Sequence, residues 1–343
     1  MPIPRLKDVA KKAGVSVAAA SLALSGKGRI SREVRAKVRA VADDLSYRVG
    51  AGARASHPAR QAVGIMHPED RAYDWGFVRP TLLEVERTMH RNGYNPVLLP
   101  LDPRAPGDRA VRLVADACVG AVFAVQYADG DALSQLGSRG IKVVVINYGG
   151  FQDRFHTVCV DDFQGAYEGT LSLLALGHRA IAFVEYERPE SPAVVADRFV
   201  GFRKALEEAK VSFSPEQRIT IPFMDGKLLE GKLAALFSRP VRPTAIFAHD
   251  DYLGLFVIEA LRGLGLAVPD DVSLVAPGDV LDYGLPLMPQ ITTMRIDTAL
   301  LGRIAANLML DRMQSADSDL HVLKVKEQLV RRASCRQVRG GTE

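Results

Sequence analysis

Cysteines, aromatic residues and long hydrophobic runs are all scarce in this sequence. Its 343 residues include three cysteines, and aromatic residues make up 7% of the chain. Cys118, Cys159 and Cys335 are far apart and form no CxxC pair, which argues against a zinc site or a disulfide framework and favours small packing residues in a reducing cytoplasm. No apolar run approaches the ~18 residues of a membrane-spanning helix. The N-terminus lacks the apolar core of a signal peptide, so secretion is not expected.

The charge of the chain is unevenly distributed. Residues 1–60 contain thirteen basic and four acidic residues, a formal charge of +9, whereas the remaining 283 residues carry −5. At about 100–200 residues per domain, the length predicts at least two domains. A basic segment before a mildly acidic body is the pattern expected of a nucleic-acid-binding domain joined to a sensor or an enzyme.

The basic segment is patterned as three short helices. Residues 6–13 form an amphipathic helix that Gly14 ends, and Ser16 can accept a backbone N–H at the start of the second helix. A third helix follows Ser31. This spacing predicts a helix-turn-helix rather than a simple basic bundle, and its second helix is the right size for the DNA major groove. The second helix is expected to bury Ala20 and Leu24 and to leave Val17, Ala18, Ser21 and Leu22 on the opposite face.

From residue 61 onward, short apolar strands alternate with helices. This alternation predicts an α/β fold with doubly wound parallel sheets, and ten or more strands indicate two lobes rather than one sheet. Ligands in such folds bind at the carboxyl ends of the strands. The predicted strands are 61–67, 95–101, 120–125, 142–147, 157–161, 180–186, 218–223, 245–250, 272–278 and 291–297.

Several stretches of the sequence match one family. The segment LKDVAKKAGVSVAAASLALSGKGRIS, with VRAKV and LSY after it, resembles the DNA-binding head of the lactose-repressor (LacI/GalR) family of bacterial transcription regulators. The segments VDDFQGAYEGTLSLLALGHRAIAFV and AIFAHDDYLGLFVIEALRGLGLAVPDDVSLV resemble the effector-binding body of the same family, which is similar to a type I periplasmic sugar-binding protein. The resemblance covers roughly residues 5–335.

The resemblance implies a domain arrangement. A helix-turn-helix domain is expected at residues 1–48, a linker at 49–60, and an effector-binding and dimerisation domain at 61–337. Within this last domain, the first lobe is expected at about 61–160 and 293–321, and the second lobe at about 161–292 and 322–337.

The resemblance also implies a dimer that binds a pseudo-palindromic DNA operator. The serines of the head would contact phosphates, while positions 17, 18 and 22 would face base edges. Because Val17, Ala18 and Leu22 have no hydrogen-bonding side chain, base readout is expected to rely on apolar contacts, for example with thymine methyl groups, and on DNA shape. The expected DNA-binding residues are Arg5, Lys7, Ser16, Val17, Ala18, Ser21, Leu22, Ser25, Ser31, Arg35, Tyr47 and Arg54.

The linker departs from the family pattern. It has no Pro-Asn helix start, Gly50 and Gly52 each lower helix propensity by about 1 kcal/mol, and Ser56 stands where an apolar residue would insert between base pairs. Two interpretations stay open, a hinge helix that forms on DNA and a flexible basic tether. The GxGxxA match in this segment follows no strand, so it does not indicate a dinucleotide site, and no cofactor or metal is expected.

The body contains candidate effector-binding residues. Arg198 precedes a Gly-Phe pair where the family usually has an arginine that binds ligand hydroxyls or a carboxylate, a task that suits the guanidinium group. His249 could make binding sensitive to pH. Gly278 stands where the family often has a sugar-binding Asp, which argues against an ordinary hexose. The expected effector-binding residues are Trp75, Phe77, Tyr127, Tyr148, Arg198, Phe223, His249, Asp250 and Asp279.

The sequence therefore predicts a dimeric, ligand-controlled repressor in the cytoplasm that binds operator DNA and a small molecule, a sugar or a related metabolite, with no membrane partner. Helix 252–264 is apolar almost all round, so it is either deeply buried or part of a dimer interface, and the family resemblance favours the interface. The tail after Cys335 lacks the heptads of a tetramerising coiled coil. One alternative is a regulator of the same fold that has lost ligand control. A solute-binding protein is disfavoured by the basic head, and an enzyme by the absence of catalytic motifs.

Overall fold

The structure, a computed structural model, describes residues 6–25, 30–44, 62–69, 75–102, 107–117, 119–127, 129–187, 192–314 and 319–338. The chain divides into two compact units, Met1–Arg60 and Gln61–Glu343. The expected DNA contacts at Arg5, Tyr47 and Arg54, together with the linker at 49–60, lie outside the described residues. Among the helices of the described ranges, none is long and apolar enough to cross a membrane.

The described part of the first unit contains three helices, α1 (Leu6–Ala13), α2 (Val17–Ser25) and α3 (Arg32–Asp44). Gly14 adopts a φ of +68° where α1 ends, a conformation that glycine adopts without steric cost. The Ser16 hydroxyl accepts a hydrogen bond from the Ala19 N–H at 3.1 Å, so the predicted cap of α2 is confirmed. In α2, Ala23 is fully buried and Leu24 only partly so. The buried core comprises Val9, Ala10, Ala13, Ala20, Ala23, Val38 and Ala42.

The second unit alternates strands and helices. Its strands are β1 (Ala62–Pro68), β2 (Asn95–Leu101), β3 (Ala121–Val125), β4 (Lys142–Ile146), β5 (His156–Val160), β6 (Ile181–Tyr186), β7 (Arg218–Ile221), β8 (Ala245–Ala248), β9 (Ser273–Gly278), β10 (Thr292–Arg295), β11 (Val322–Val325) and β12 (Gln328–Val330). Its helices are α4 (Trp75–Arg91), α5 (Gly107–Asp116), α6 (Gly130–Ser138), α7 (Asp162–Ala175), α8 (Pro192–Glu208), α9 (Gly226–Phe237), α10 (Asp251–Gly263) and α11 (Thr298–Gln314).

The strands form two six-stranded sheets, which confirms the predicted doubly wound architecture. The first sheet has the order β11-β5-β4-β3-β1-β2 and is parallel. The second has the order β12-β10-β9-β8-β6-β7 and is parallel except for β12, which pairs antiparallel with β10. We call the first sheet with α4, α5, α6 and α11 the first lobe, and the second sheet with α7 to α10 the second lobe.

Burial explains why the inner strands are so apolar. Every residue of β3, β6, β8 and β9 is buried, because helices cover both faces of a parallel sheet. The edge strand β2 is instead exposed at alternate positions toward its carboxyl end. Each lobe has an apolar core on both faces of its sheet.

The expected lobe boundaries need correction in the C-terminal part of the chain. β10 lies in the second sheet beside β9, and β11 lies in the first sheet beside β5, with Val322 opposite Thr157. The chain therefore crosses between lobes at residues 296–297 and 326–327, and not near 292 and 322. The apolar sequence of a short strand indicates that the strand is buried, but it does not indicate which sheet the strand joins.

Candidate DNA-binding helix and effector cleft

Helix α2 presents one exposed face. Val17 is 48% exposed, Leu22 is 41% exposed, and Ala18 and Ser21 are also exposed. These four residues, here called the exposed face of α2, lie together because positions i, i+1, i+4 and i+5 share one side of a helix. The face carries no charge and a single hydrogen-bonding side chain, while the opposite side of α2 is buried against α1 and α3.

The other expected DNA-contact residues of the head lie near helix ends. Lys7 is exposed in the first turn of α1. Ser16 and Ser31 cap α2 and α3 through the hydroxyl oxygen, which leaves each hydroxyl hydrogen able to donate to a phosphate. Arg35 is half-buried, and its Nε has no hydrogen-bond partner among the described residues. The side chain of Ser25 lies outside the described residues.

The carboxyl ends of the two sheets face each other. Three connections of one or two residues join these edges, between β5 and α7, between β10 and α11, and between β11 and β12. Connections this short require the carboxyl edge of each sheet to lie next to that of the other. We call the space between the two edges the interlobe cleft. It also contains the points where the strand order of each sheet reverses, next to β1 and β6, where α/β folds bind ligands.

The second lobe brings three aromatic rings together at the cleft. Tyr186, the last residue of β6, lies 5.0 Å from Phe223 and 6.1 Å from His249 between ring centroids. Phe223 and His249 are expected effector residues, and Phe223 is 47% exposed. Tyr186 was not among the expected residues, although an aromatic residue at the carboxyl end of a strand beside the reversal point is the signal that would have identified it.

The first lobe supplies polar groups at the ends of β3 and β4. Tyr127 follows β3, and burial together with Asp129 raises the pKa of this tyrosine to about 12. Gln126 and Asn147, each the first residue after its strand, have φ angles of +49° and +55°. Such left-handed residues concentrate at functional sites. Sequence patterns gave no sign of Gln126, whose buried Oε1 has no hydrogen-bond partner among the described residues.

The remaining first-lobe residues are less suited to ligand contact. Tyr148 packs against Phe151 with ring centroids 4.8 Å apart. Phe77 is buried in the apolar core of the first lobe. The side chain of Trp75 lies outside the described residues. Effector contacts by these residues stay predictions.

Arg198 lies at the junction of several elements. Its Nη2 is 2.7 Å from Asp162 Oδ1 and 3.8 Å from Glu327 Oε1, and its Nη1 donates to the His249 carbonyl. Burial lowers the pKa of Arg198, but the carboxylates of Asp162, Glu327 and Asp250 raise this pKa, and the net shift is upward. The guanidinium is therefore fully charged and held in place. Its buried Nε has no hydrogen-bond partner in the described part of the chain.

Glu327 is a buried carboxyl group at the crossing between β11 and β12. Burial raises its pKa well above the ordinary value, the charge of Arg198 lowers it, and Asp162 raises it further. The side chain of Gln164 accepts a hydrogen bond from the Glu327 N–H at 3.0 Å and donates to the Glu327 carbonyl at 3.3 Å. These bonds tie the crossing to the first turn of α7.

Asp250 and Asp279 have structural partners. Asp250 caps α10 by accepting a hydrogen bond from the Leu253 N–H at 2.7 Å. Asp279 lies 2.5 Å from Arg332, 2.5 Å from Arg295 and 2.9 Å from the Thr293 hydroxyl. Burial raises the pKa of Asp279, but these hydrogen bonds lower it and determine the net direction. Effector contact by either aspartate stays a prediction, and Asp279 already holds β9, β10 and the segment after β12 together.

Asp251 is a fully buried carboxyl group that the sequence did not single out. It is the first residue of α10, and burial raises its pKa to about 6 against the hydrogen bonds that it accepts. A carboxyl group whose pKa is raised by folding binds its proton more tightly in the folded state. Its contribution therefore favours folding at low pH and is lost as the pH rises through about 6.

We expect the Asp251→Asn variant to remove this pH dependence. Between about pH 5 and pH 7.5, the free energy of unfolding of the unsubstituted protein should fall by about 1 kcal/mol more than that of the variant. Urea unfolding followed by circular dichroism at both pH values measures this difference. Asp311→Asn, at an exposed carboxylate of α11, is the control, and equal pH dependence in Asp251→Asn and the unsubstituted protein would contradict the assignment.

Two family models match the chain. One described as "Bacterial regulatory proteins, lacI family" matches residues 5–49, and one described as "Periplasmic binding protein-like domain" matches residues 171–335. The HTH-type transcriptional repressor PurR of Pectobacterium atrosepticum is 28% identical over 337 residues, which is 96% of each chain. The repressor of the same name from Haemophilus influenzae is 28% identical over 318 residues, 91% of this chain and 92% of that protein.

Solved structures share the fold of the chain. The complex of the transcriptional regulator CelR with cellobiose has a TM-score of 0.68 at 25% identity, covering 96% of this chain and 99% of that one. The lac repressor dimer bound to operator and the anti-inducer ONPF has a TM-score of 0.68 at 19% identity, covering 98% of this chain and 100% of that one. The chain therefore belongs to the lactose-repressor (LacI/GalR) family of bacterial transcription regulators.

Proposed function

We propose that this protein is a dimeric repressor that binds operator DNA in the cytoplasm and responds to a small molecule bound in the interlobe cleft. The observation that carries the proposal is the exposed face of α2, on the second helix of a basic helix-turn-helix unit. An uncharged helix face with two large exposed apolar side chains suits contact with the apolar edges of bases, such as thymine methyl groups. In a helix-turn-helix the second helix lies in the major groove, where those base edges are found.

The DNA-binding residues divide into two groups. Lys7, Arg35, Ser16 and Ser31 would contact phosphates, which position the head without reading sequence. The exposed face of α2 would contact base edges, with apolar side chains against thymine methyl groups.

The cleft supports an effector that is a small polar ring compound, a sugar or a related metabolite. Arg198 supplies hydrogen-bond donors, and the exposed ring of Phe223, packed against the buried rings of Tyr186 and His249, supplies a flat surface for stacking. Gly278 leaves the end of β9 without a side-chain carboxylate. The solved complex of CelR with cellobiose supports this class of ligand for the same fold.

The dimer interface would include α10 and the segment between β9 and β10. One face of α10 is buried in the second lobe, while Tyr252, Phe256 and Ile258 on its other face are only half-buried. Leu287, in the segment between β9 and β10, is 95% exposed. A two-fold dimer would match a pseudo-palindromic operator.

An enzymatic role is not part of the proposal, since the curated relatives are repressors. An experiment distinguishes the proposed ligand-controlled repressor from the alternative, a regulator of the same fold without ligand control. Genomic fragments that the full-length protein captures would supply the operator, and operator affinity would then be measured with sugars, nucleosides and nucleobases. We expect at least one compound to change the affinity. If none does, the loss of ligand control is the better description.

We expect thymine methyl groups in the selected operator to contribute directly to affinity. Replacing one contacted thymine with uracil removes a methyl group worth about 0.8 kcal/mol, a roughly fourfold loss. The same change in both half-sites should cost about fifteenfold by the same reckoning. Fluorescence anisotropy measures the affinity, and thymines outside the half-sites are the control. Unchanged affinity after substitution of every half-site thymine would exclude apolar base readout.

A further inference from the structure

The segment after β9, residues 279–283, contacts both lobes. Val280 packs against the core of the first lobe, whereas Leu281 and Tyr283 pack against the core of the second. In the first lobe the neighbour of Val280 is Gly76, in the first turn of α4. A Cβ atom at Gly76 would lie 2.7 Å from the Val280 carbonyl oxygen and 3.0 Å from the Val280 Cβ. The two lobes therefore approach so closely here that only glycine fits on the first-lobe side.

A single buried carboxylate holds this segment. Asp251 Oδ2 accepts hydrogen bonds from the Val280 N–H at 2.9 Å, the Leu281 N–H at 3.3 Å and the Tyr283 hydroxyl at 3.2 Å. The other oxygen, Oδ1, is only 2.8 Å from the place that a Cβ at Gly278 would occupy. Gly278 has a φ of +127°, so the chain turns around the carboxylate in a conformation that glycine adopts readily.

Arg332 fixes the two ends of the segment to the second lobe. Its Nη2 lies 2.5 Å from Asp279 Oδ1, and its guanidinium carbon lies 3.8 Å from the centre of the Tyr283 ring. Val280 lies between these two anchors and is the residue that reaches the first lobe. The hydrogen bonds and ring contact described here come from second-lobe groups, while the side chain of Val280 packs against the first lobe.

We propose that Asp251 is a positioning residue that holds Val280 against Gly76 and so fixes the relative angle of the two lobes. This inference rests on the proposed function, because the lobe angle is what an effector in the cleft would change. Gly76 is flanked by Trp75 and Phe77, two expected effector residues. The first turn of α4 therefore contacts the Val280 segment, and effector contact by Trp75 or Phe77, which stays a prediction, would be coupled to that segment.

The test uses hydrogen exchange of the full-length protein without DNA or small molecules. In Asp251→Ala, we expect amide exchange to accelerate at least tenfold in a peptide covering 279–283 and also in one covering 75–82 of the first lobe. A merely local structural role of Asp251 would change exchange in the second lobe alone. Asp251→Asn keeps an acceptor oxygen and should restore slow exchange in both peptides.

Substitution on the other side of the contact gives an independent measurement. Gly76→Val, or the milder Gly76→Ala if the valine variant does not fold, should accelerate exchange at 279–283 in the second lobe. Gly137→Ala on α6, where nothing lies within 4 Å of the added Cβ, is the matched control. Unchanged exchange across the contact in both the Asp251 and the Gly76 variants would overturn the proposal.

Operator titration separates this proposal from the proposed function. If exchange changes as expected but no compound alters operator affinity, the interlobe contact stands and ligand control fails. If an effector acts, Asp251→Ala should shift its half-maximal concentration at least fivefold relative to Asp251→Asn. If Asp251→Ala matches the unsubstituted protein in both its effector response and its hydrogen exchange, Asp251 has no role in lobe positioning.

Discussion

Replacing Arg198 with alanine is expected to lower the free energy of unfolding by about 3–5 kcal/mol. The guanidinium is buried between Asp162, Glu327 and the His249 carbonyl, so its removal leaves buried acceptors without their cation. The cost arises from those uncompensated groups more than from the lost ion pair itself. Urea unfolding of the full-length protein followed by circular dichroism measures the change.

Two further substitutions make the Arg198 result specific. Lys204→Ala, at an exposed cation of the same helix, should change the free energy of unfolding by less than about 0.5 kcal/mol. Glu327→Gln keeps an oxygen near the Arg198 guanidinium and should cost less than Arg198→Ala. An Arg198→Ala variant as stable as Lys204→Ala would contradict the buried network.

Arg198→Lys addresses the effector role. Lysine keeps the charge but lacks the planar set of donors, so stability should be partly restored while the effector response is still reduced. The half-maximal effector concentration in the operator titration measures this response. If Arg198→Lys and Arg198→Ala both respond like the unsubstituted protein, Arg198 does not contact the effector.

Raising the salt concentration is expected to weaken operator binding steeply. A dimer presents two basic heads, each with a formal charge of +9 over residues 1–60. If it neutralises about six phosphates, counterion release predicts a roughly thousandfold loss of affinity between about 50 and 200 mM KCl. Fluorescence anisotropy with the selected operator gives the slope of affinity against salt.

The salt slope also identifies phosphate contacts. Lys7→Ala should make the slope shallower by about one phosphate per head, with little change in sequence preference. Lys142→Ala, at an exposed lysine of β4 in the acidic body, should leave the slope unchanged. A flat salt response of the unsubstituted protein would contradict a phosphate-binding head.

The sequence was sufficient for the local structure of the head. A helix needs only its apolar spacing, its cap and its stop to be recognised, and all three lie within a few residues of one another. Gly14 and Ser16 were assigned on that basis and occupy the positions expected. The alternation of strands and helices in the body likewise depends on neighbouring residues, so the α/β class followed from pattern alone.

The candidate effector site was predictable only in part. The resemblance to a known family pointed to Arg198 and His249, the place of Phe223 near a strand end pointed to that residue, and the structure brings all three to the cleft. Tyr186 and Gln126 were missed because each becomes notable only through its place at a strand end beside the reversal of strand order. That place depends on the order of strands in the sheet, which no local pattern encodes.

The sequence by itself determined the helices of the head, the division of charge and the buried strands, because these depend on residues near one another in the chain. The tertiary structure decided which sheet accepts β10 and β11 and which groups satisfy Asp251, Asp279 and Glu327. A buried carboxylate finds its partners among segments far apart in sequence, and the pairing of β8 with β9 brings Asp251 next to Val280. Its environment is thus a property of the assembled fold.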